Sequence, residues 1–195
     1  PMAPKRRNKL GWILMRLLVF IFALIPAVAF GQMNLTTASN WQSAVQTLAP
    51  SAVVNFAAGI YTTTGAWVAV TSDFVRLVGA GTGQSYLTSG HATNWGVIRL
   101  SGAGARMEGF TIYGGSTSNY GGAVQGTGGQ TVSNCVIVSN RARVGGGFYL
   151  VDIHNSTVAH NFAYGNLAQG QGGGGGILSE TNVARASVVS NNSAL

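Results

Sequence analysis

VSNCVIVSNRA, Val132 to Ala142, is written three times in this chain with its apolar and asparagine positions kept. IHNSTVAHNFA follows from Ile153, and VARASVVSNNSA from Val183. Laid over one another, the phrases superpose Ile137, Val158 and Val188, and likewise Asn140, Asn161 and Asn191, at spacings of 21 and 30 residues. Gly/Gln-rich residues around Gly165 to Gly173 account for the longer interval. A fourth copy, MEGFTIYGG from Met107, places Ile112 with Ile137 and Phe110 with Cys135. Glycine runs recur between the phrases: GGAV from Gly121, GGGFYL from Gly145 and GGGIL from Gly174. A repeat of this length with a strand-sized apolar core cannot bury its face alone. It has to stack on its neighbours, which is the signature of a solenoid.

Outward from the repeats the chain offers only strand-sized apolar pieces: Val53 to Phe56, Trp67 to Val70, Phe74 to Val78, Val97 to Leu100 and Phe110 to Tyr113. Glycine or Ser/Thr/Asn turns separate them. One short helix is expected, with Ser39 and Asn40 as caps, Trp41, Ala44, Val45 and Leu48 at helical spacing, and Pro50 as the stop. No second helix of that quality exists to serve as a crossover, and 29 glycines exclude a helical bundle. The reading is an all-β chain, a right-handed parallel β-helix with a short N-terminal capping helix.

Side chains alternate faces along a strand, so the repeat also assigns inside and outside. Ile112, Ile137, Val158 and Val188 should line the interior, with Phe110, Cys135, Ser156 and Ala186 beside them. Thr111, Val136, Thr157 and Ser187 should face solvent. Asn140, Asn161 and Asn191 fall where each strand ends, where asparagine tolerates left-handed geometry and its amide can bond to the next coil. They read as a stacked amide ladder, with a ligand-binding row of amides as the alternative.

Charge is unevenly spread. Five of the eleven basic residues lie in the first sixteen positions, leaving six arginines against four acids from Phe30 onward, a net of +2. That is too weak and scattered for a phosphate-tracking surface, so no nucleic-acid partner is expected. The basic stretch Lys5 to Lys9, the apolar run Leu17 to Ile25, Pro26 and the small-x-small Ala27-Val28-Ala29 form a secretory leader. Residues 1–29 are read as a signal peptide and 30–195 as one β-helix domain, secreted or displayed at the cell surface. The chain stops inside a repeat, at NNSAL, and is expected to be the N-terminal part of a longer protein.

NWQSAVQTLAP, VVNFAAGIYTT, VRLVGAGTG, MEGFTIYGG and the GGG…NCVIVSN segments together resemble secreted parallel β-helix proteins of the pectate-lyase-like fold. Within that group the chain is similar to bacterial polymorphic outer membrane proteins and autotransporter passengers, whose coils carry GGA[ILV]. GGAV at 121–124 fits that pattern, GGGF and GGGI nearly so, and the FxxN companion motif is absent. The resemblance implies an exported bacterial cell-surface or secreted protein serving structural display or adhesion. The alternative it implies is a polysaccharide lyase or glycoside hydrolase whose active coils lie mostly beyond Leu195.

The residues themselves offer little assembled chemistry. Polysaccharide hydrolysis needs two carboxylates at a set separation, yet the phrase alignment puts Asp152 over Thr131 and Arg106, and Glu108 over Ser133 and His154. No catalytic residue, cofactor or metal site is assigned. His91, His154 and His160 are scattered without cysteine or carboxylate company, and Cys135 reads as a small buried apolar residue. Trp95, Tyr113, Tyr120, Tyr149 and Tyr164 sit at strand ends and in loops. Their rings either shield turn edges or stack on sugar faces, making polysaccharide or a host or matrix surface the candidate partner. Membrane contact is expected only through the leader or a missing C-terminal anchor.

Overall fold

The computed structural model describes residues 31–37, 39–90, 94–165, 175–178 and 184–194. Residues 1–29, read above as a signal peptide, and His91 and Glu180 lie outside these residues. The described chain is a parallel β-solenoid of about five turns with one short helix near its N-terminal end. Among the described residues no helix is long and apolar enough to cross a membrane.

Strands stack into four parallel sheets. Sheet 1 runs from Gln32–Leu35 through Val53–Phe56, Arg76–Gly79, Arg106–Glu108, Thr131–Ser133 and Asp152–His154 to Ala184–Arg185. Sheet 2 runs from Gly59–Thr62 through Ser85–Thr88, Thr111–Tyr113, Val136–Val138 and Thr157–Ala159 to Val188–Ser190. Sheet 3 holds Ser116–Tyr120, Arg141–Val144, Phe162–Ala163 and Ser193–Ala194. Sheet 4 holds Val68–Val70, Ile98–Leu100, Val124–Gln125, Phe148–Tyr149 and Ile177–Leu178.

Corners between sheets are made by single residues in left-handed backbone geometry, stacked coil over coil. Ser51, Phe74, Gly104, Gly129 and Leu150 turn the chain into sheet 1. Gly109, Asn134, Asn155 and Ala186 turn it from sheet 1 to sheet 2, and Gly114, Ser139, His160 and Asn191 from sheet 2 to sheet 3. Asparagine and glycine take this geometry most cheaply. Phe74 and Leu150 carry its steric cost, which the stacked coils on either side must offset.

The core is a set of apolar columns. In sheet 1 Val54, Leu77, Met107, Val132 and Ile153 lie in register and are buried. In sheet 2 Tyr61, Leu87, Ile112, Ile137 and Val158 do the same. Each such side chain contributes about 1.5–3 kcal/mol on burial. The helix, α1 (Trp41–Gln46), adds Trp41, whose ring meets Phe56 and Tyr61 edge-on with centroids 6.0 and 6.1 Å away. Trp41 Nε1 donates to Thr62 O at 3.2 Å. Asn40 occupies the cap position without making a side-chain cap bond.

The third repeat sits one residue later than the aligned phrases place it. Val158 pairs with Val189, not Val188, and Thr157 pairs with Val188. Val188 therefore joins Thr111, Val136 and Thr157 on the outer face, and it is 60% exposed. Ser187 replaces Ala186 beside the interior stack, where its Oγ accepts the Ser156 N–H at 3.2 Å. Because strand side chains have a period of two, this single-residue slip exchanges the two faces.

The asparagine ladder changes in the same way and runs through Asn140, Asn161 and Asn192. Asn161 Nδ2 donates to Asn192 Oδ1, and Asn140 Nδ2 donates to Asn161 Oδ1, each at 3.0 Å. Asn191 instead takes the left-handed corner with φ 50°, in the column of His160. The ladder asparagines follow those corners and do not occupy them. Their amides saturate backbone groups inside the solenoid: Asn140 Nδ2 also reaches Ile112 O, and Asn161 Nδ2 reaches Ile137 O.

Cys135 lies beside this core and is buried, with its Sγ donating to Ser133 O at 3.1 Å. Burial pushes its pKa up from 9.0 to about 12. Ellman's reagent at pH 8 should therefore leave the thiol untouched in the native chain and modify it in urea; rapid native labelling would contradict this placement. A raised folded-state pKa means the unfolded chain loses the thiol proton first. Stability should then fall as pH rises from 9.0 toward about 12. Cys135→Ala should show a shallower alkaline loss over that window.

Candidate functional site

Sheet 3 alternates like the others. Thr117, Ala142 and Ala163 point inward and are buried, so Ser116, Arg141, Phe162 and Ser193, which pair in register, face outward. Arg143 follows Arg141 by two residues and shares its face. The Arg141 guanidinium carbon lies 4.7 Å from the Tyr164 ring centre and 5.5 Å from that of Phe162. Arg143 lies 5.9 Å from the Tyr120 ring, which stacks on Tyr149 at 4.4 Å with planes 30° apart. Tyr164 Oη donates to Thr117 O at 2.8 Å and so pins its ring across the sheet.

Each guanidinium–ring contact contributes about 0.5–1 kcal/mol at an exposed position. Their combined effect is to hold two arginines and four rings as one preorganised surface. Arg143 Nε is buried and has no hydrogen-bond partner among the described residues. Beside Arg141, a shallow hollow of about 240 Å³ is lined by Gly114, Gly115, Ser116 and Ser139.

The five aromatics singled out in the sequence do not form one group. Tyr120, Tyr149 and Tyr164 gather around the arginines. Trp95 is 40% exposed, and its backbone bridges Ser116 at the edge of the same sheet. Tyr113 sits on sheet 2, edge-on to Tyr86 with ring centres 6.3 Å apart. Sequence reasoning passed over Arg141, Arg143 and Phe162. The signal was present: Arg-x-Arg directly after a ladder asparagine puts both cations on one face of the next strand.

Sheet 1 presents a second polar face. Arg76 Nη2 donates to Glu108 Oε1 at 2.6 Å, with side chains 53% and 31% exposed, an ion pair of about 0–1 kcal/mol at such exposure. Arg106, Thr131 and Ser133 complete a hollow of about 240 Å³. The register matches the sequence alignment: Thr131 pairs with Arg106 and Asp152, and Ser133 with Glu108 and His154. Glu108 and Asp152 are thus two strand spacings apart, about 10 Å along the stack. That exceeds the roughly 5–5.5 Å of a nucleophile–acid pair in retaining glycosidases.

Among the described residues, no group of three or more His, Cys, Asp or Glu could hold a metal ion. Comparison of the chain with family models, with curated proteins and with solved structures finds no match.

Proposed function

We propose that this chain is part of an exported bacterial cell-surface or secreted β-solenoid that serves display and adhesion, holding saccharide on the outer face of sheet 3. The observation that carries this reading is the Tyr120–Tyr149 stack flanked by Arg143, with Arg141 laid on Phe162 and Tyr164. Aromatic faces pack on the C–H faces of sugar rings, while guanidinium and hydroxyl groups hydrogen-bond the rim. The leader-like N-terminal sequence supports export, and GGAV with the asparagine-rich turns supports kinship with polymorphic outer membrane proteins and autotransporter passengers. The coils are taken as right-handed, as crossovers between parallel strands almost always are.

The test is retention of the full chain on immobilised polysaccharides. Tyr120→Ala combined with Tyr149→Ala should weaken retention about tenfold, as removal of paired aromatic anchors does elsewhere, while leaving the circular dichroism spectrum unchanged. Failure of the parent chain to bind any saccharide, or full retention of the double variant, would sink the reading.

A second reading rests on sheet 1, whose outer face collects Arg76, Arg106, Glu108, Asp152 and His154. On that reading the protein is a polysaccharide lyase. Release of unsaturated uronides or new reducing ends, abolished by Arg106→Gln, would favour it over adhesion.

A further inference from the structure

We infer that the ligand of the sheet 3 face is anionic: a polysaccharide bearing carboxylate or sulfate groups, read by Arg141 and Arg143 while the rings hold its sugar faces. This rests on the sugar-binding reading above and narrows it to a charge class.

Charge is what distinguishes the face. Among the described residues the only ion pair is Arg76–Glu108, on sheet 1, so neither Arg141 nor Arg143 has a carboxylate there. Asp73, Glu108 and Asp152 belong to sheet 1 or the turn leading into it. Two cations about 7 Å apart on one strand are instead backed by rings, which orient a guanidinium without neutralising it. The outer N–H groups remain available for paired bonds to a carboxylate or sulfate.

Two further observations agree. Arg143 Nε is buried without a partner, so the guanidinium is partly desolvated, and an anion on its outer N–H groups would lower the electrostatic cost of that burial. Next to Arg141, the hydroxyls of Ser116 and Ser139 line the hollow, and neither makes a hydrogen bond among the described residues. A neutral sugar would hydrogen-bond the guanidinium groups but leave both positive charges uncompensated. An anionic one uses the guanidinium forks, the hydroxyls and the rings together.

The experiment measures binding of the full chain to polygalacturonate, dextran sulfate, uncharged dextran and double-stranded DNA at low and at physiological salt. Polygalacturonate or dextran sulfate should bind at least tenfold tighter than dextran, and their order tells carboxylate from sulfate. Arg141→Gln with Arg143→Gln should erase that preference. Arg99→Gln with Arg185→Gln, two exposed arginines outside both faces' named residues, removes equal charge elsewhere and should keep it. Arg141→Lys with Arg143→Lys guards against misfolding of the glutamine variant and should restore part of the preference.

Equal affinity for dextran, still lost in the Tyr120/Tyr149 variant, would overturn the anionic assignment and leave the sugar-binding reading standing. No binding to any of the three polysaccharides would overturn both. DNA binding as tight as polysaccharide binding, or an equal loss in the Arg99/Arg185 variant, would reduce the effect to bulk charge and overturn the assignment. So would a lysine variant with no preference for the charged polymers.

Discussion

Asn161→Ala is expected to lower stability by about 3–5 kcal/mol, because several buried groups lose their partners at once. Asn161 is 1% exposed. Its two Nδ2 hydrogens are shared among Ile137 O, Ala159 O and Asn192 Oδ1, each at 3.0 Å. Its Oδ1 accepts the Asn140 N–H and Asn140 Nδ2, also at 3.0 Å. Alanine would strand two carbonyls and an amide N–H in the interior, each at about 1–3 kcal/mol before relaxation. Asn161→Asp should be nearly as damaging, since a carboxylate oxygen would face the two carbonyls where an N–H is required.

Urea unfolding midpoints check this, with Asn55→Ala as the comparison. Asn55 Nδ2 also donates to an asparagine, Asn34, at 3.0 Å, but on the exposed face of sheet 1. Its loss should cost less than about 0.5 kcal/mol, as for most surface substitutions. Equal shifts for the two variants would mean the buried ladder does not hold the coils together.

Gly146→Val is expected to cost about 3 kcal/mol or more, at the upper end for overpacking. The glycine runs form a column beside the asparagine ladder. A Cβ on Gly146 would run into Gly175 O and would lie 2.6 Å from the carbonyl carbon and oxygen of Phe162. One coil earlier, a Cβ on Gly122 would run into Gly146 O and approach the Arg141 backbone at 2.8 Å. Backbone cannot rotate aside as a side chain can, so the coils themselves would have to separate. Gly31→Ala, where a Cβ meets nothing within 4 Å, should be neutral. Thermal unfolding of the two variants side by side decides the matter: a Gly146→Val midpoint matching that of Gly31→Ala would show that the glycine column does not set the coil spacing.

Both predictions explain why the repeat was legible. Asparagine and glycine recur because stacked backbone requires them at fixed places, so their spacing reports the coil directly. The solenoid, the inward faces of Ile112, Ile137 and Val158, and the amide ladder at Asn140 and Asn161 all follow from that spacing. The third copy was misplaced because SVVSNNS offers two valines and two asparagines in succession. Either register looks equally apolar, and only the pairing of Val189 with Val158 and of Asn192 with Asn161 separates them.

The proposed binding face was less visible. Tyr120, Tyr149 and Tyr164 are distant in sequence and arrive on three different strands or turns. Arg141 and Arg143 looked like scattered surface charge until the stack laid rings beside them.

The sequence by itself determined that coils form and which residues face inward, since burial and backbone saturation act on every repeat alike and leave a periodic trace. Tertiary structure alone decided which side chains meet across coils: the Arg141–Tyr164 and Tyr120–Tyr149 contacts, the Arg76–Glu108 pair and the final register. Those contacts join residues whose separation varies with loop length. No fixed period records them, and only the stacking of one coil on the next brings them within reach.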